Sequence, residues 1–479
     1  MAKKITTRAQ NFSTWYQDVI DAADLADQSP VRGCVTFKPH GFAVWENVQQ
    51  KLDRAFKETG HRNAYFPMLM PESFIKKEQE HIKGFSPELA VVTHAGGKKL
   101  DEPLVVRPTS EAIIGYMMAK WIKSYRDLPL LLNQWCNVIR WEMRPRIFLR
   151  TSEFLWQEGH TAHESKQEAE QETLQMLEIY RKFLVEDCLI PVFTGKKPAH
   201  EKFPGALTTH SLEALMQDGK ALQAGTSHNL GQNFSKVFDI KYLNQENKQE
   251  HAWTTSWGVS TRVIGGLVMV HGDDDGVIFP PNIAPVKVVL VPIWHNDNEE
   301  GQVRTMLDDC FKSLTEFIDP WQIEIDNQHN LRPTERFFHW VRKGVPIRIV
   351  IGANEVKANQ LSIVLRHNRQ KISISPNEIK SCVKNAIKQI NKELYERALK
   401  FRDENLTRTD DYQEFKKIIK NKGGFVYAHW DGTTETAEKI KNETKATIRV
   451  IPNELEIETG RCIITNKPSP RRVLFAGAY

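Results

Sequence analysis

Thirty residues, from Leu130 to Gly159, constrain this chain more than any other stretch. LLNQWCNVIRWE runs to Glu142, the polar turn MRPRI follows, and FLRTSEFLWQEG runs on to Gly159. Two strand-like segments around a short turn predict a long antiparallel hairpin. Arg140 and Glu142 are two apart on one strand and therefore share a face, and Arg150 can join them across the hairpin. Arginines on an open sheet face need anions, and the guanidinium fork matches a carboxylate or a phosphate bidentately. Glu142 can orient an arginine or accept from an amino group. Phe154 offers an apolar plane on which a purine could stack.

The rest of the chain supplies helices and a second texture. Apolar residues at helical spacing predict a helix over about Asn11–Ala26, ended by Pro30, and another over about Phe42–Thr59. Ala64–Met70 reads as a strand, with Pro67 placing it at an edge or bulge. A helix from about Glu164 to Cys188 opens with acidic residues and stops before Pro191. AWTTSWGVSTR is a strand that runs into the helix VIGGLVMVHG, with Arg262 at the helix start, where backbone N–H groups also attract anions. A salt-bridged structural arginine is the plainer reading of that position. PPNIAPVKV, Pro280 to Val288, reads as an interdomain linker. Beyond it strand and helix alternate, as in an α/β domain with a partly parallel sheet. A long helix is expected over about Asn377–Phe401. On one face it carries Lys380, Lys384, Lys388 and Lys392, either a solvated surface or a phosphate-contacting stripe. The last 60 or so residues read as a small α+β module.

Composition narrows the class. At 479 residues the chain exceeds one compact core, with about three domains expected at roughly 150 residues each. Its 40% hydrophobic and 26% charged content excludes a disordered or fibrous chain. A net charge of +5 permits a polyanionic partner without demanding one. The six cysteines, Cys34, Cys136, Cys188, Cys310, Cys382 and Cys462, form no CxxC pair and suit a reduced compartment. MAKKITTRAQNF lacks the apolar core of a signal peptide, and no apolar run approaches the roughly 20 residues of a membrane span. The expectation is a soluble, cytoplasmic protein.

Three further clusters have competing readings. Glu158, His160 and His163 are either a metal set or pocket and packing residues, and the spacing is not HExxH. Asp273, Asp274 and Asp275 form a solvated turn or a metal site, with the turn favoured. GGKKLDEP reads as a surface hairpin.

Taken in order, the motifs resemble a known family. GFAVWENVQQKLDRAFKETGHRNAYFPMLMP, RWE…FLRTSEFLWQEGH and SWGVSTRVIGGLVMVHGDD resemble the three motifs of class II aminoacyl-tRNA synthetases. ADLADQSPVRGC, LVVRPTSEAIIG, LNQWCNVIRWE, LQAGTSHNLGQNFS, RKGVPIRI and VLFAGAY are similar to prolyl-tRNA synthetases of the archaeal and eukaryotic-like type, over nearly the whole chain. The resemblance implies an α+β fold. A class II antiparallel catalytic sheet would occupy residues 1–284, an α/β anticodon-binding domain 285–395, and a small α+β C-terminal domain 396–479. The first motif would build a homodimer interface. The implied activity is ATP-dependent activation of L-proline to prolyl-adenylate and transfer to the 3′ end of tRNA(Pro), with Mg2+ accompanying ATP.

By motif position, Thr109 and Glu111 would receive the imino group, and Arg140 would bridge the substrate carboxylate and the α-phosphate. Glu142, Arg150 and Thr151 would hold ATP, with Phe154 beneath adenine. Gln223 and Thr226 would contact the adenylate and His228 the prolyl end. Ser260 and Arg262 would complete the ATP site, while Trp156 and Glu158 would shape the pyrrolidine pocket. Threonyl, seryl and glycyl relatives share the class II plan, and an RNA-binding paralogue without catalysis is a non-enzyme alternative that Arg140, Glu142 and Arg262 weigh against.

The chain also departs from the family. Many relatives hold zinc with four cysteines in the C-terminal domain, where this chain keeps only Cys462, so no zinc is expected and packing would hold the module. Val341 stands where relatives commonly have an acidic residue, though Arg348 remains, which puts anticodon guanine recognition in question. Only about 94 residues separate Gly159 from Trp253, leaving no room for an editing insertion. Alanine is smaller than proline, and a missing methylene is worth only about 1–3 kcal/mol, so alanine activation is expected. The chain end, FAGAY, is expected to fold back toward the catalytic domain.

Overall fold

The protein is described here from a computed structural model covering residues 4–79 and 89–479. Helix α1 (Phe12–Ala22) is capped by Asn11, whose side chain accepts from the Thr14 N–H at 2.9 Å. Helix α2 (Pro39–Glu58) begins on a proline whose missing N–H costs nothing at that position. The apolar faces of both pack beneath a large sheet, with Trp15, Tyr16, Val48, Leu52 and Phe56 buried in one core. The sheet starts with β1 (Arg62–Asn63).

The strand expected over Ala64–Met70 does not form as one piece. Ala64 N–H donates to the Asn133 carbonyl at 2.8 Å, but Phe66 N–H donates to the side chain of Gln134 at 2.6 Å, which ends the ladder. Strand pairing resumes at Leu69–Pro71, in a separate sheet with the hairpin Ala90–Ala95 and Lys98–Val106. That hairpin turns on Gly96–Gly97, as expected of GGKKLDEP.

Helix α3 (Glu111–Trp121) leads to the long hairpin, β2 (Leu130–Ile139) and β3 (Glu153–His163). It is shorter than expected. Pairing stops at Ile139 and Glu153, because residues 140–152 form a turned loop in which Phe148 is left-handed (φ +61°) and Arg146 N–H donates to the Arg150 carbonyl at 2.6 Å. Helix α4 (Lys166–Lys182) opens on a reciprocal Ser165/Glu168 capping box and widens into a π turn over Phe183–Asp187. Then come β4 (Val192–Lys196), β5 (Thr208–Leu215), β6 (Ala221–Gly231), β7 (Trp253–Ser260) and α5 (Arg262–His271). The stretch between β3 and β7 thus builds the sheet itself, and no inserted domain is folded there.

Past residue 284 a second core surrounds a five-stranded sheet. Its strands are β8 (Val288–Ile293), β9 (Ile323–Ile325), β10 (Ile347–Gly352), β11 (Leu361–Leu365) and β12 (Lys371–Ile374), in the order β9-β8-β10-β11-β12. The first two pairings are parallel and the last two antiparallel. Helices α6 (Asp297–Thr315), α7 (Pro333–Arg342) and α8 (Ile379–Glu404) belong to this unit, and α8 runs unbroken through residue 395. On α8 the lysine row is largely engaged: Lys380 pairs with Glu316, Lys392 with Glu396, and Lys384 lies 4.8 Å from the Phe317 ring centre.

The last unit contributes β13 (Leu406–Arg408), β14 (Phe425–His429), helix α9 (Thr434–Thr444), β15 (Thr447–Pro452) and β16 (Arg472–Ala476). Its strands continue the first sheet, whose full order is β13-β14-β16-β15-β4-β5-β6-β7-β3-β2-β1. The seam is β15 against β4, where Gly195 faces Pro452. A Cβ at Gly195 would stand 2.2 Å from the Ile451 carbonyl oxygen, so the approach needs glycine. Packing around Phe415, Trp430, Ile448 and Phe475 holds this unit, joined by Arg472, which pairs with Glu458 and with Asp410 at 2.7 Å. Cys462 is buried.

The acidic turn is a partly solvated turn whose carboxylates are nevertheless all paired. Asp273 takes both terminal nitrogens of Arg366 at 2.6 and 2.7 Å, Asp274 takes Arg8 at 3.0 Å, and Asp275 pairs with Arg369. Among the described residues no group of three or more His, Cys, Asp or Glu could hold a metal ion, and no helix is long and apolar enough to cross a membrane.

Candidate active site

The exposed face of β5, β6, β7 and β3 floors a cavity of about 300 Å³. Side chains alternate along a strand, so Phe154, Trp156, Glu158 and His160 of β3 all face the cavity. The opposite face is core: Gln157 accepts from the Tyr180 hydroxyl at 2.5 Å, and Gly159 lies against Trp257. A Cβ at Gly159 would stand 2.0 Å from the indole. Ladder register sets the rows. His160, Ser256, His228 and Thr209 form one, and Glu158, Gly258, Thr226 and Ser211 the next. Trp156 and Ser260 follow.

One end of the cavity is acidic and tightly bonded. Thr109 Oγ1 donates to Glu111, both buried at the start of α3. Glu158 is enclosed by donors: Ser110 Oγ, Gln134 Nε2 at 3.0 Å, Cys136 Sγ at 3.3 Å and His160 Nε2 at 3.0 Å. Burial opposes the Glu158 charge, but His160 and the other donors outweigh it and hold the carboxyl below its ordinary range. Burial likewise opposes a charged His160, yet Glu158 raises its pKa above the usual value. The two form a buried ion pair that fixes the pocket wall. His228 is different. Burial, with His210 and His160 nearby, lowers it to about 3, so it is a neutral imidazole bonded through Nδ1 to Thr209 Oγ1 at 2.9 Å.

The other end is basic. Arg140 follows β2, donates through Nε to the Pro108 carbonyl at 2.9 Å, and lies over the rings of Phe154 (5.5 Å) and Trp156 (5.3 Å). Arg262 opens α5. Its Nε donates to the Leu149 carbonyl at 3.1 Å and its Nη1 to the Gln223 carbonyl at 3.4 Å. Burial, then the charge of Arg140, brings its pKa down to about 10. It remains a cation at neutral pH, and an anion between the two guanidinium groups would relieve both. The cavity is therefore polarised, with carboxylates at one end, guanidinium groups at the other and aromatic rings between.

Of the residues expected from sequence, Thr109, Glu111, Arg140, Phe154, Trp156, Glu158, Gln223, Thr226, His228, Ser260 and Arg262 line this one cavity. Glu142, Arg150 and Thr151 do not. Glu142 Oε1 accepts from the exposed Arg150 at 2.7 Å on the hairpin loop, and Thr151 is buried beside them. His160 lines the cavity and is paired with Glu158. Sequence reasoning missed Lys197, Glu201, Lys202, Phe203 and Thr209, which also line the wall. The available signal was the dense KKPAHEKFPG segment, charged, with proline and glycine, set between two strands.

A second cavity, of about 250 Å³, lies on the 285–395 unit. It is bounded by Phe337, Phe338, Trp340, Val341, Arg348 and Arg366. Arg348 lies 4.2 Å over the Phe337 ring, and its buried Nε has no hydrogen-bond partner among the described residues.

Comparison with known proteins accords with this layout. Residues 93–271 match the tRNA synthetase class II core domain (G, H, P, S and T). Residues 287–386 match the anticodon binding domain, and residues 412–479 the prolyl-tRNA synthetase C-terminal domain. Proline–tRNA ligase of Bacteroides fragilis is 49% identical over 495 aligned residues, covering 100% of this chain and 99% of that protein. The Flavobacterium psychrophilum proline–tRNA ligase is 50% identical and covered in full on both sides. The crystal structure of prolyl-tRNA synthetase from Cryptosporidium parvum, complexed with halofuginone and AMPPNP, superposes with a TM-score of 0.94 at 34% identity over 99% of each chain. With relatives of this identity matched from end to end, the chain belongs to the prolyl-tRNA synthetase family of class II aminoacyl-tRNA synthetases.

Proposed function

We propose that the polarised cavity is where proline and ATP meet, with the imino acid at its acidic end and the phosphates at its basic end. Family membership gives the overall reaction: the chain is a proline–tRNA ligase, which activates proline with ATP and transfers it to tRNA. In the first step a carboxylate oxygen forms a bond to the α-phosphorus while the bond to the β-phosphate oxygen breaks, releasing pyrophosphate. In the second, a hydroxyl of the terminal ribose attacks the activated carbonyl and AMP leaves. Little covalent work falls to the protein; positioning and charge stabilisation dominate.

Glu111, braced by Thr109, is the counter-charge for the secondary ammonium. Trp156, Glu158 and neutral His228 shape the pocket for the ring. Arg140 clamps the carboxylate beside the α-phosphate. Phe154 supports adenine, and Gln223, Thr226, Ser260 and Arg262 take the rest of the nucleotide, while Glu142, Arg150 and Thr151 close over it from the hairpin loop. The observation that carries this reading is the convergence of Arg140 and Arg262 on a cavity that Glu111 and Glu158 also line. Mg2+ would accompany the phosphates, whose oxygens and waters supply most of its ligands, so the protein need not build a cage. When bound it supplies charge neutralisation.

The same reading divides the chain into modules at 1–284, 285–395 and 396–479, supported by the profile matches at 93–271, 287–386 and 412–479. The second cavity suits an anticodon base, which would stack on Phe337 or Phe338 beside Arg348. Tyr65, Met68 and Leu69 of the first motif are exposed, as are Val91, Tyr116 and Trp121, and this exposed apolar surface supports a homodimer. The enzyme works in the cytoplasm, where its substrates are. Pyrophosphate exchange across the twenty amino acids tests the specificity. Proline-dependent exchange far above all others is expected, with alanine detectable; a stronger response to threonine, serine or glycine would overturn the pocket assignment.

A further inference from the structure

One side chain on the cavity wall has no role in these assignments, yet it holds two features of that wall in place. Between β4 and β5 the chain leaves the sheet at Lys197 and returns at Leu207, whose N–H donates to the Asn229 carbonyl at 2.8 Å. Lys202, Phe203 and Pro204 of that excursion line the cavity. Thr209, buried in β5, fastens it twice. Its carbonyl accepts from Lys197 N–H at 2.8 Å, and its hydroxyl accepts from Phe203 N–H at 2.8 Å. The same hydroxyl lies 2.9 Å from Nδ1 of His228, its partner across the β5–β6 ladder. The Phe203 ring in turn lies against the His228 imidazole, with centres 4.7 Å apart and planes 31° from parallel.

One arrangement of hydrogens satisfies every partner. A hydroxyl carries one hydrogen and can also accept, whereas a neutral imidazole has one N–H and one bare nitrogen. His228 is neutral, first because it is buried and then because His210 and His160 lie close. Thr209 Oγ1 already accepts from Phe203, and among the described residues His228 Nδ1 is the acceptor placed to take its hydrogen. With the hydroxyl donating to Nδ1, the ring hydrogen sits on Nε2, which has no hydrogen-bond partner among the described residues and belongs to a ring that lines the cavity. The reverse arrangement would leave the buried hydroxyl hydrogen without an acceptor, a penalty the first avoids. The difference matters to the substrate. A bare Nε2 could accept from the secondary ammonium and compete with Glu111 for it. An Nε2–H cannot; it can meet only a carboxyl oxygen, the one acceptor group that proline has.

We propose that Thr209 is a positioning residue for proline: its hydroxyl holds His228 as the Nε2–H tautomer and pins Phe203 against it, so that this wall offers the imino acid an aromatic plane and a hydrogen-bond donor and leaves the ammonium to Glu111. This rests on the placement of the imino acid beside Glu111 given above.

Pyrophosphate exchange with full-length Thr209→Val and Thr209→Ser tests it, with fold checked by circular dichroism. Nitrogen-15 spectra of histidine-labelled native enzyme accompany it, with His228→Asn identifying the His228 signals. Thr209→Val keeps the shape and branching of the side chain but removes the hydroxyl. Its KM for proline is expected to rise about five-fold, the worth of one hydrogen bond, with kcat and the KM for ATP within about two-fold. Thr209→Ser keeps the hydroxyl and should stay within about two-fold of the native KM for proline. The native spectrum should show His228 neutral and protonated on Nε2 at neutral pH. An unchanged KM for proline in folded Thr209→Val, KM values for proline and ATP raised alike, or a Thr209→Ser as impaired as Thr209→Val overturns the proposal. A native His228 that is charged or protonated on Nδ1 overturns it too. Should Thr209→Val not fold, the native spectrum decides: a hydrogen on Nε2 supports the proposal and one on Nδ1 overturns it. Glu111→Gln separates the two readings. A normal KM for proline in that variant sinks the placement of the imino acid, whereas a raised one beside a normal Thr209→Val sinks the role of Thr209 alone.

Discussion

At the scale of single residues, Arg262 and the Glu158–His160 pair show how environment assigns work. Arg262 is held by two carbonyls, from Leu149 and Gln223, and presents a desolvated charge to the cavity. Such a group is pre-aimed at charge that develops in the transition state, so Arg262→Ala should lower adenylate formation by about 10²–10³-fold. Retention of tRNA, which rests on other surfaces, should change little; equal losses of both would contradict this division. Glu158 and His160 give a pH signature. Glu158 is depressed in the fold, so its contribution is present above the unfolded pKa of about 4.3 and is lost as pH falls through the folded value. His160 is raised, so its contribution is complete below about 6.5 and is lost as pH rises through its folded pKa. The stabilising advantage of the native protein over His160→Gln should therefore be widest from about pH 4.5 to 6.5 and shrink toward alkaline pH. Melting temperatures of both proteins across that range check it, and a gap that stays constant from acid to alkali would refute it.

At the scale of elements, the cavity floor depends on a close fit between two strands. Gly159 of β3 leaves room for Trp257 of β7 beneath the sheet, and a methyl at that point would collide with the indole. Gly159→Ala should cost about 1–3 kcal/mol through forced overpacking, read as a lower urea midpoint with an unchanged slope. An unaltered midpoint would mean that the indole moves aside freely. The same hairpin shows what sequence could and could not reveal. Pleating puts Phe154, Trp156, Glu158 and His160 of FLWQEGH on one face, a pattern that is fixed locally. The ladder's end was not legible. Its stop at Ile139 and Glu153 comes from a left-handed Phe148 and a turn closed by Arg146 and Arg150, and no residue type there announces positive φ. The strand expected at Ala64–Met70 failed for a related reason: the Gln134 side chain, far along the chain, took the Phe66 N–H. The α1, α2 and α4 helices were found within a few residues, since periodicity and caps are local signals.

At the scale of the whole molecule, contacts between units matter most, and these were the least legible, because ion pairs spanning 93 or 236 residues leave no pattern in a single sequence. Asp273, expected in a solvated turn, instead ties the end of α5 to Arg366, which also donates to the Val341 carbonyl at 2.8 Å. Arg366 is nearly inaccessible, so Asp273→Ala strands a buried guanidinium. The loss should fall somewhat below the roughly 3–5 kcal/mol of a fully buried pair, since Asp273 is partly solvated; thermal unfolding measures it, and an unchanged melting temperature would show the latch to be idle. The chain end was better foreseen. The Tyr479 N–H donates to the Ala221 carbonyl at 3.2 Å, the Gly477 carbonyl accepts from Ala221 N–H at 2.8 Å, and the Tyr479 hydroxyl donates to Asp218 at 2.5 Å. Its ring lies 5.0 Å from the Arg146 guanidinium, on the loop whose Leu149 carbonyl holds Arg262. Removing Gly477–Tyr479 leaves β16 whole but takes away one of the two rings that hold Arg146, the other being Tyr16, and so loosens the loop that aims Arg262. A misaimed group costs rate more than it costs folding, because reaction needs near-attack geometry while the core stays packed. Turnover in pyrophosphate exchange should therefore fall by about ten-fold or more while the melting temperature drops by only a few degrees, roughly the effect of 1 kcal/mol in a chain of this size. A truncated enzyme that turns over as fast as the intact one would show that the tail is merely tucked away, and that the hairpin loop holds Arg262 in place without it.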